Sequence, residues 1–139
     1  MISVPLSPGM NNRKLEVLIT QLDANIEGQL GFWQFEYDGY PLICITDEDM
    51  DRMRIMTPIV QVEQLSDAVI LECMNANFDR ALDARYCINN GTLWGAFIHP
   101  LTPLNQDQFH SACSQVAMVS RNFGTSFSSG GLAFNTDIV

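Results

Sequence analysis

Asn77-Phe-Asp-Arg-Ala-Leu-Asp-Ala-Arg-Tyr-Cys-Ile-Asn-Asn-Gly-Thr-Leu-Trp-Gly-Ala-Phe-Ile-His-Pro-Leu101 decides the fold, because it reads as a helix end, a strand, a tight turn and a second strand. Leu82, Ala84, Tyr86 and Ile88 alternate with Asp83, Arg85 and Cys87. Asn90-Gly91 then supplies the positive φ angles of a type I′ turn, and Trp94, Ala96 and Ile98 alternate on the return. A β-hairpin between two helices follows, and nothing in it carries obvious chemistry.

Upstream, Ser66 or Asp67 caps a helix that runs to about Phe78. Its Val69, Ile70, Leu71, Cys73, Met74, Ala76 and Phe78 leave almost no polar face. A helix apolar nearly all round must be buried on more than one side, and in a chain of 139 residues a second copy is the natural cover. The expectation is a homodimer through Leu65, Val69, Cys73 and Ala76, with Ile70, Met74 and Phe78 turned to the sheet. Downstream, Thr102-Pro103 offers a cap and a first-turn proline, and Phe109, Ala112, Cys113, Val116, Ser120 and Phe123 trace one face of a last helix up to Gly124.

Toward the N-terminus, Asn11 or Asn12 caps a first helix whose Leu15, Leu18, Ile19, Leu22 and Ile26 share a face until Gly28 ends it. From Leu30 the period becomes two. Trp33, Phe35 and Tyr37 share one side of a strand, Asp38-Gly39 turns, and Leu42 to Thr46 returns. A third strand spans about Arg52 to Val62, where Pro58, lacking a ladder donor, implies a sheet edge or a bulge. Residues 1–11, with Pro5, Pro8 and Gly9, read as an extended arm; 12–124 reads as one domain; 125–139 is a Ser/Gly-rich tail. The order helix, three strands, helix, two strands, helix, with hairpins between neighbours, predicts an α+β domain with an antiparallel sheet of about five strands and three helices.

A chain of this length buries roughly 68–70% of its unfolded surface, so it needs neither a disulfide nor a metal to fold. No apolar run approaches the ~20 residues of a membrane helix, and no positively charged, apolar, small-residue leader opens the sequence. A cytoplasmic protein is expected, with Cys44, Cys73, Cys87 and Cys113 reduced and packing as small core residues. The net charge of −9, from 16 acids against 7 Lys and Arg, repels phosphate and anionic lipid. Nucleic acid and membrane insertion are therefore excluded as expectations, and polypeptide partners favoured.

Each chemical candidate has a plainer structural reading. Asp47, Asp49 and Asp51 open like a calcium loop, but Arg52 replaces its glycine and Pro58 its bidentate glutamate, which leaves a solvated turn. His110 and Cys113 are three apart, and His99 follows the strand paired with that of Cys87, so a Cys-His nucleophile can be drawn. Cys113 nevertheless lies on an apolar stripe, where a thiol packs rather than reacts, and no third group orients a histidine. Four cysteines scattered over separate elements do not make a zinc site. Asn90-Gly91-Thr92 is turn chemistry, and Gly124-Thr-Ser-Phe-Ser128 lacks the second glycine of a nucleophile elbow. No catalytic residue, cofactor or metal is expected.

The helix order, the length, the acidity and the segments Phe78-x-x-Ala81-Leu82, Asn90-Gly91-x-Leu93-Trp94 and His99-Pro100-Leu101 together resemble the type III secretion chaperone-like family, of the Tir-chaperone (CesT) type and including the related YbjN proteins. The resemblance spans about residues 12–124. It implies a small, acidic, cytoplasmic homodimer, paired largely through the second helix. Such a dimer binds the N-terminal segment of a secreted effector and keeps it unfolded and secretion-competent. A client held this way rests its alternate side chains in apolar pockets; Leu18, Leu22, Ile26, Phe32, Phe35, Ile55 and Val60 are the candidates. The alternatives are a YbjN-like regulatory or interaction module without a secreted client, and a small enzyme using Cys113 or a histidine.

Overall fold

The computed structural model describes residues 9–124. The expected tail, and all of the expected arm except its last three residues, lie outside the described residues. Those three lead into helix α1, Asn12–Leu22, whose N-cap is Asn11: its side chain accepts the Lys14 amide at 3.0 Å. Met10 donates its backbone N–H to the Thr102 carbonyl, which ties the start of the domain to the far end of the sheet.

Helix α1 ends at Leu22, earlier than the glycine signal implied. Asp23 turns extended there, and its carboxylate accepts the amides of Asn25 and Glu36, each at 2.9 Å. Those backbone donors, Glu36 first, hold the Asp23 carboxyl below the usual aspartate range. Past this clamp the chain forms strand β1, Glu27–Gln29, instead of a last helical turn. Gly28 makes that possible: its φ is +115°, and a Cβ would lie 2.1 Å from the Phe32 carbonyl oxygen.

Strands β2 (Phe32–Tyr37), β3 (Tyr40–Asp47) and β4 (Arg52–Gln61) follow as a meander. After helix α2 (Asp67–Asp79) come β5 (Arg85–Asn89), β6 (Thr92–Pro100) and helix α3 (Gln106–Asn122). The sheet is antiparallel, in the order β1-β2-β3-β4-β6-β5, so it has six strands where about five were expected. The Asn90-Gly91 turn has φ of +51° and +76°, as a type I′ hairpin needs. Pro58 marks a bulge rather than an edge: β4 is central, and its register against β6 shifts between Pro58 and Val60.

Pleating gives the sheet two faces with different fates. Trp33 and Phe35, Leu42 and Cys44, Met53 and Ile55, and Leu93 and Phe97 point to one side and are buried there with Phe109, Ala112, Cys113, Val116 and Val119 of α3 and Leu15 and Ile19 of α1. Gly95 lets α3 approach, since a Cβ on it would fall 2.6 Å from Val119 Cγ2. Helix α3 is capped by Asn105 in a reciprocal capping box with Gln108, not by Thr102-Pro103. Thr102 is engaged elsewhere, donating its amide and hydroxyl to the Asp51 carboxylate at 2.8 and 2.9 Å. On the other side of the sheet the described residues place no helix.

Helix α2 runs along the outer edge of β5. Its Ser66 cap accepts the Val69 amide, Cys73 and Ala76 are buried against the chain's own core, and Asn77 bonds the main chain of Tyr86. At its end Asp79 and Arg80 form a buried ion pair, with Arg80 Nη1 3.2 Å from Asp79 Oδ1.

Candidate functional site

Two apolar surfaces remain after the core is formed. The first is on α2. Leu71, Met74 and Phe78 recur at i, i+3 and i+7 and are 64%, 60% and 69% exposed, a continuous stripe along the helix. This reverses the expected orientation of the helix. Met74 and Phe78 face away from the sheet, while Cys73 and Ala76, expected at a dimer contact, are shut inside the chain at 2% and 0% exposure. Leu65, Val69 and Ile70 are half-buried, Leu65 against the core.

The second surface is the open sheet face. Cross-strand register sets Phe32, Ile45, Arg54 and Ile98 in one row and Gln34, Ile43, Met56, Ala96 and Arg85 in the next. Trp94 and Cys87 pair in a third. Ile98 is 58% exposed and Phe32 40%, whereas Ile43, Ile45, Met56 and Trp94 are half-buried only by their neighbours on the face. A hollow of about 590 Å³ lies at one end, beside Gln34, Pro41, Ile43 and Pro58, and one of about 710 Å³ at the other, beside Ile45, Met50, Arg54 and Ile98.

The seven residues expected to hold a client do not form one surface. Phe35 and Ile55 are core residues, 5% and 0% exposed beneath α3, and cannot meet a client in this fold. Leu18, Leu22, Ile26 and Val60 are half-buried against that core. Phe32 alone opens onto the exposed sheet face, because it is three residues from Phe35 and the period of a strand is two. The missed residues, Ile43, Ile45, Met56, Trp94 and Ile98, alternate as regularly as the core set. The signal was present in the pattern, but β3 and β6 are apolar on both faces and alternation does not say which one the helices cover.

The residues considered for catalysis are dispersed. Cys113 is fully buried, and burial pushes its thiol well above the usual range; burial does the same to Cys44, with Cys113 nearby as a lesser cause. Cys87 is exposed, yet its thiol is also pushed up by partial burial, against the opposing pull of the Arg54 guanidinium. His99 Nδ1 lies 2.7 Å from the Pro100 carbonyl, and among the described residues no hydrogen bond joins a histidine to a cysteine. The acidic turn is structural: the Asp47 carboxylate accepts the Met50 amide and Asp51 caps Thr102. Among the described residues no three His, Cys, Asp or Glu side chains gather as a metal site would require.

Compared as a shape, the chain aligns with solved structures. A chain of the ExsC–ExsE complex superposes with a TM-score of 0.60 at 12% identity, over 82% of this chain and 97% of that one. The fold is type III secretion chaperone-like. A chain of the HopA1–SchA chaperone–effector complex superposes with a TM-score of 0.59 at 11% identity, over 81% of this chain and 94% of that one. No family profile and no curated protein matches the sequence. Identities this low establish a shared backbone plan and nothing about partners. Among the described residues no helix is long and apolar enough to cross a membrane.

Proposed function

We propose that this protein is a non-enzymatic, cytoplasmic homodimeric chaperone that binds the N-terminal segment of a secreted effector protein and keeps it secretion-competent. The observation that carries the reading is the pair of uncovered apolar surfaces on a fold shared along its length with a protein from a chaperone–effector complex. Large exposed apolar patches are uncommon on proteins that work alone, and they mark sites of protein association. The α2 stripe of Leu71, Met74 and Phe78 is the dimer surface, in place of Cys73 and Ala76, with Val69 and Leu65 at its margin. A client segment lies on the remaining apolar surface in an extended form, and no bond is made or broken. The inaccessible, protonated Cys113 thiol supplies no nucleophile. The net charge of −9 keeps nucleic acid and anionic lipid away while the apolar surfaces stay dispersed in water.

The test is purification from the native cell under mild conditions, followed by mass spectrometry of whatever elutes at near-stoichiometric ratio. A secreted protein whose retention is lost when its N-terminal segment is deleted is the expected result. Recovery of the chain with no such protein, under conditions where the secretion system is expressed, would count decisively against the proposal.

A further inference from the structure

The middle of the open sheet face carries a cation among apolar side chains, in an acidic molecule. Three of the seven Lys and Arg residues stand on that face, Arg52 and Arg54 on β4 and Arg85 on β5 with β6 between, while its acids Glu27, Glu36 and Asp47 lie toward β1, the β2–β3 turn and the Arg52 end. Arg54 is the central one. It is exposed, with Ile45 on one side and Ile98 on the other in its row and Met56 in the next. Among the described residues its guanidinium makes no ion pair and no hydrogen bond, whereas Arg121 is paired with Asp38, Arg80 with Asp79, and Arg85 donates to the Leu82 and Ala84 carbonyls. Asp47 stands opposite Arg52 in the register, which leaves Arg54 without a cross-strand acid.

Resting on the client-binding reading above, we propose that the open sheet face takes an acidic segment of the client, with a carboxylate on Arg54 flanked by apolar side chains on the Phe32–Ile45–Ile98 row and the Ile43–Met56 row. Covering these residues removes water from around the guanidinium, so a carboxylate brought to it gains far more than it would at an open surface. An apolar segment without an acid would bury Arg54 unpaired, and a basic one would add like-charge repulsion. The face therefore selects by sign, and in the direction opposite to the net charge of the whole chain.

That opposition makes a sharp experiment. Fluorescein-labelled peptides alternating Leu with Glu, Leu with Gln and Leu with Lys are titrated against the full chain at low salt, with anisotropy as readout. The Leu/Glu peptide is expected to bind about tenfold tighter than Leu/Gln, with Leu/Lys weakest, although overall charge favours the reverse. Arg54→Glu should abolish the preference and Arg54→Lys should retain it; Arg54 is exposed, so both variants should keep the wild-type circular dichroism. Equal binding of all three peptides, or preference for Leu/Lys, overturns the inference and leaves the chaperone reading standing. A Leu/Glu preference that survives Arg54→Glu overturns it as well, since the acid then binds elsewhere. Displacement of Leu/Glu by a synthetic peptide of residues 125–139 as efficiently as by unlabelled Leu/Glu assigns the face to the chain's own C-terminal residues and overturns it. A change in molar mass on Arg54→Glu, by light scattering, assigns the face to a second copy and likewise overturns it. If no peptide binds, a native client that still co-purifies confines the failure to this inference, and the lack of any client extends it to the function.

Discussion

Asn77 and Tyr86 are joined by two hydrogen bonds of strand type although one of them belongs to a helix: the Asn77 side-chain amide donates to the Tyr86 carbonyl at 2.9 Å and its oxygen accepts the Tyr86 amide at 2.7 Å. Tyr86 sits opposite Gly95 in the β5–β6 ladder, at a position whose main-chain groups point away from β6 and would otherwise form an open sheet edge. Asn77 thus closes the edge and fixes α2 beside it, which is what turns Leu71, Met74 and Phe78 outward. Tyr86 is anchored from the other side as well, its hydroxyl donating to the Val119 carbonyl at 2.6 Å.

Asn77→Leu should destabilise the chain by about 1–3 kcal/mol, because two main-chain groups lose their partners in a half-buried place. The measurement is urea unfolding, with hydrogen exchange showing faster loss of the Tyr86 amide than of its neighbours. Unchanged exchange at Tyr86 would refute the role given to Asn77.

Gly95→Ala should cost about 1–3 kcal/mol by overpacking, since the new methyl meets Val119 at 2.6 Å and a β-branched residue in a helix has little rotamer freedom to yield. Val119→Ala makes room, so the double variant should be more stable than the sum of the single effects predicts. A strictly additive cycle would show that α3 simply lifts from the sheet.

Phe78→Asp should leave the single chain's stability within about 0.5 kcal/mol, because the side chain is already in water. The same change should convert a dimer to a monomer in light scattering across concentration. Cys73→Asp should unfold the chain instead, as it strands a charge in the core. If Phe78→Asp leaves the molar mass unchanged, or the wild type is a monomer, the α2 stripe is not the dimer surface.

Stability should fall above about pH 9. Cys44, Cys113 and Tyr86 all have acid groups raised by burial, so the folded chain holds protons that the unfolded chain has released. Their contribution is fully present below the unfolded-state values and is lost as pH rises beyond them, with a slope of about 1.4 kcal/mol per pH unit per group. Urea midpoints at pH 7.5 and pH 10 test it, with Cys113→Ala expected to flatten the decline. In the native protein iodoacetamide should label Cys87, the exposed thiol, ahead of the other three.

Much of the fold was legible because its signals are local. Asn11 and Ser66 are caps that act on amides three residues away, and Asn90-Gly91 sets its own backbone angles, so chain order alone located two helix starts and a hairpin. Strand β1 was not legible: three exposed residues have no alternation to read, and they become a strand only because the Asp23 clamp and Gly28 bring them against β2. The Asn105–Gln108 capping box was readable, but Thr102-Pro103 competed with it, and only the Asp51 contact shows what Thr102 does.

What the sequence determined by itself is the element order apart from β1, the antiparallel pairing of hairpin neighbours and the oversupply of apolar surface, since each follows from residue spacing and composition. What the tertiary structure decided is which apolar side faces in. Helix α2 is apolar nearly all round, and β3 and β6 carry apolar residues on both faces, so neither period distinguishes inside from outside there. The choice is made by contacts distant in sequence: Asn77 on Tyr86 turns α2, and the missing Cβ of Gly95 seats α3 on one side of the sheet. The Arg54 guanidinium is left without an acid opposite it on the other.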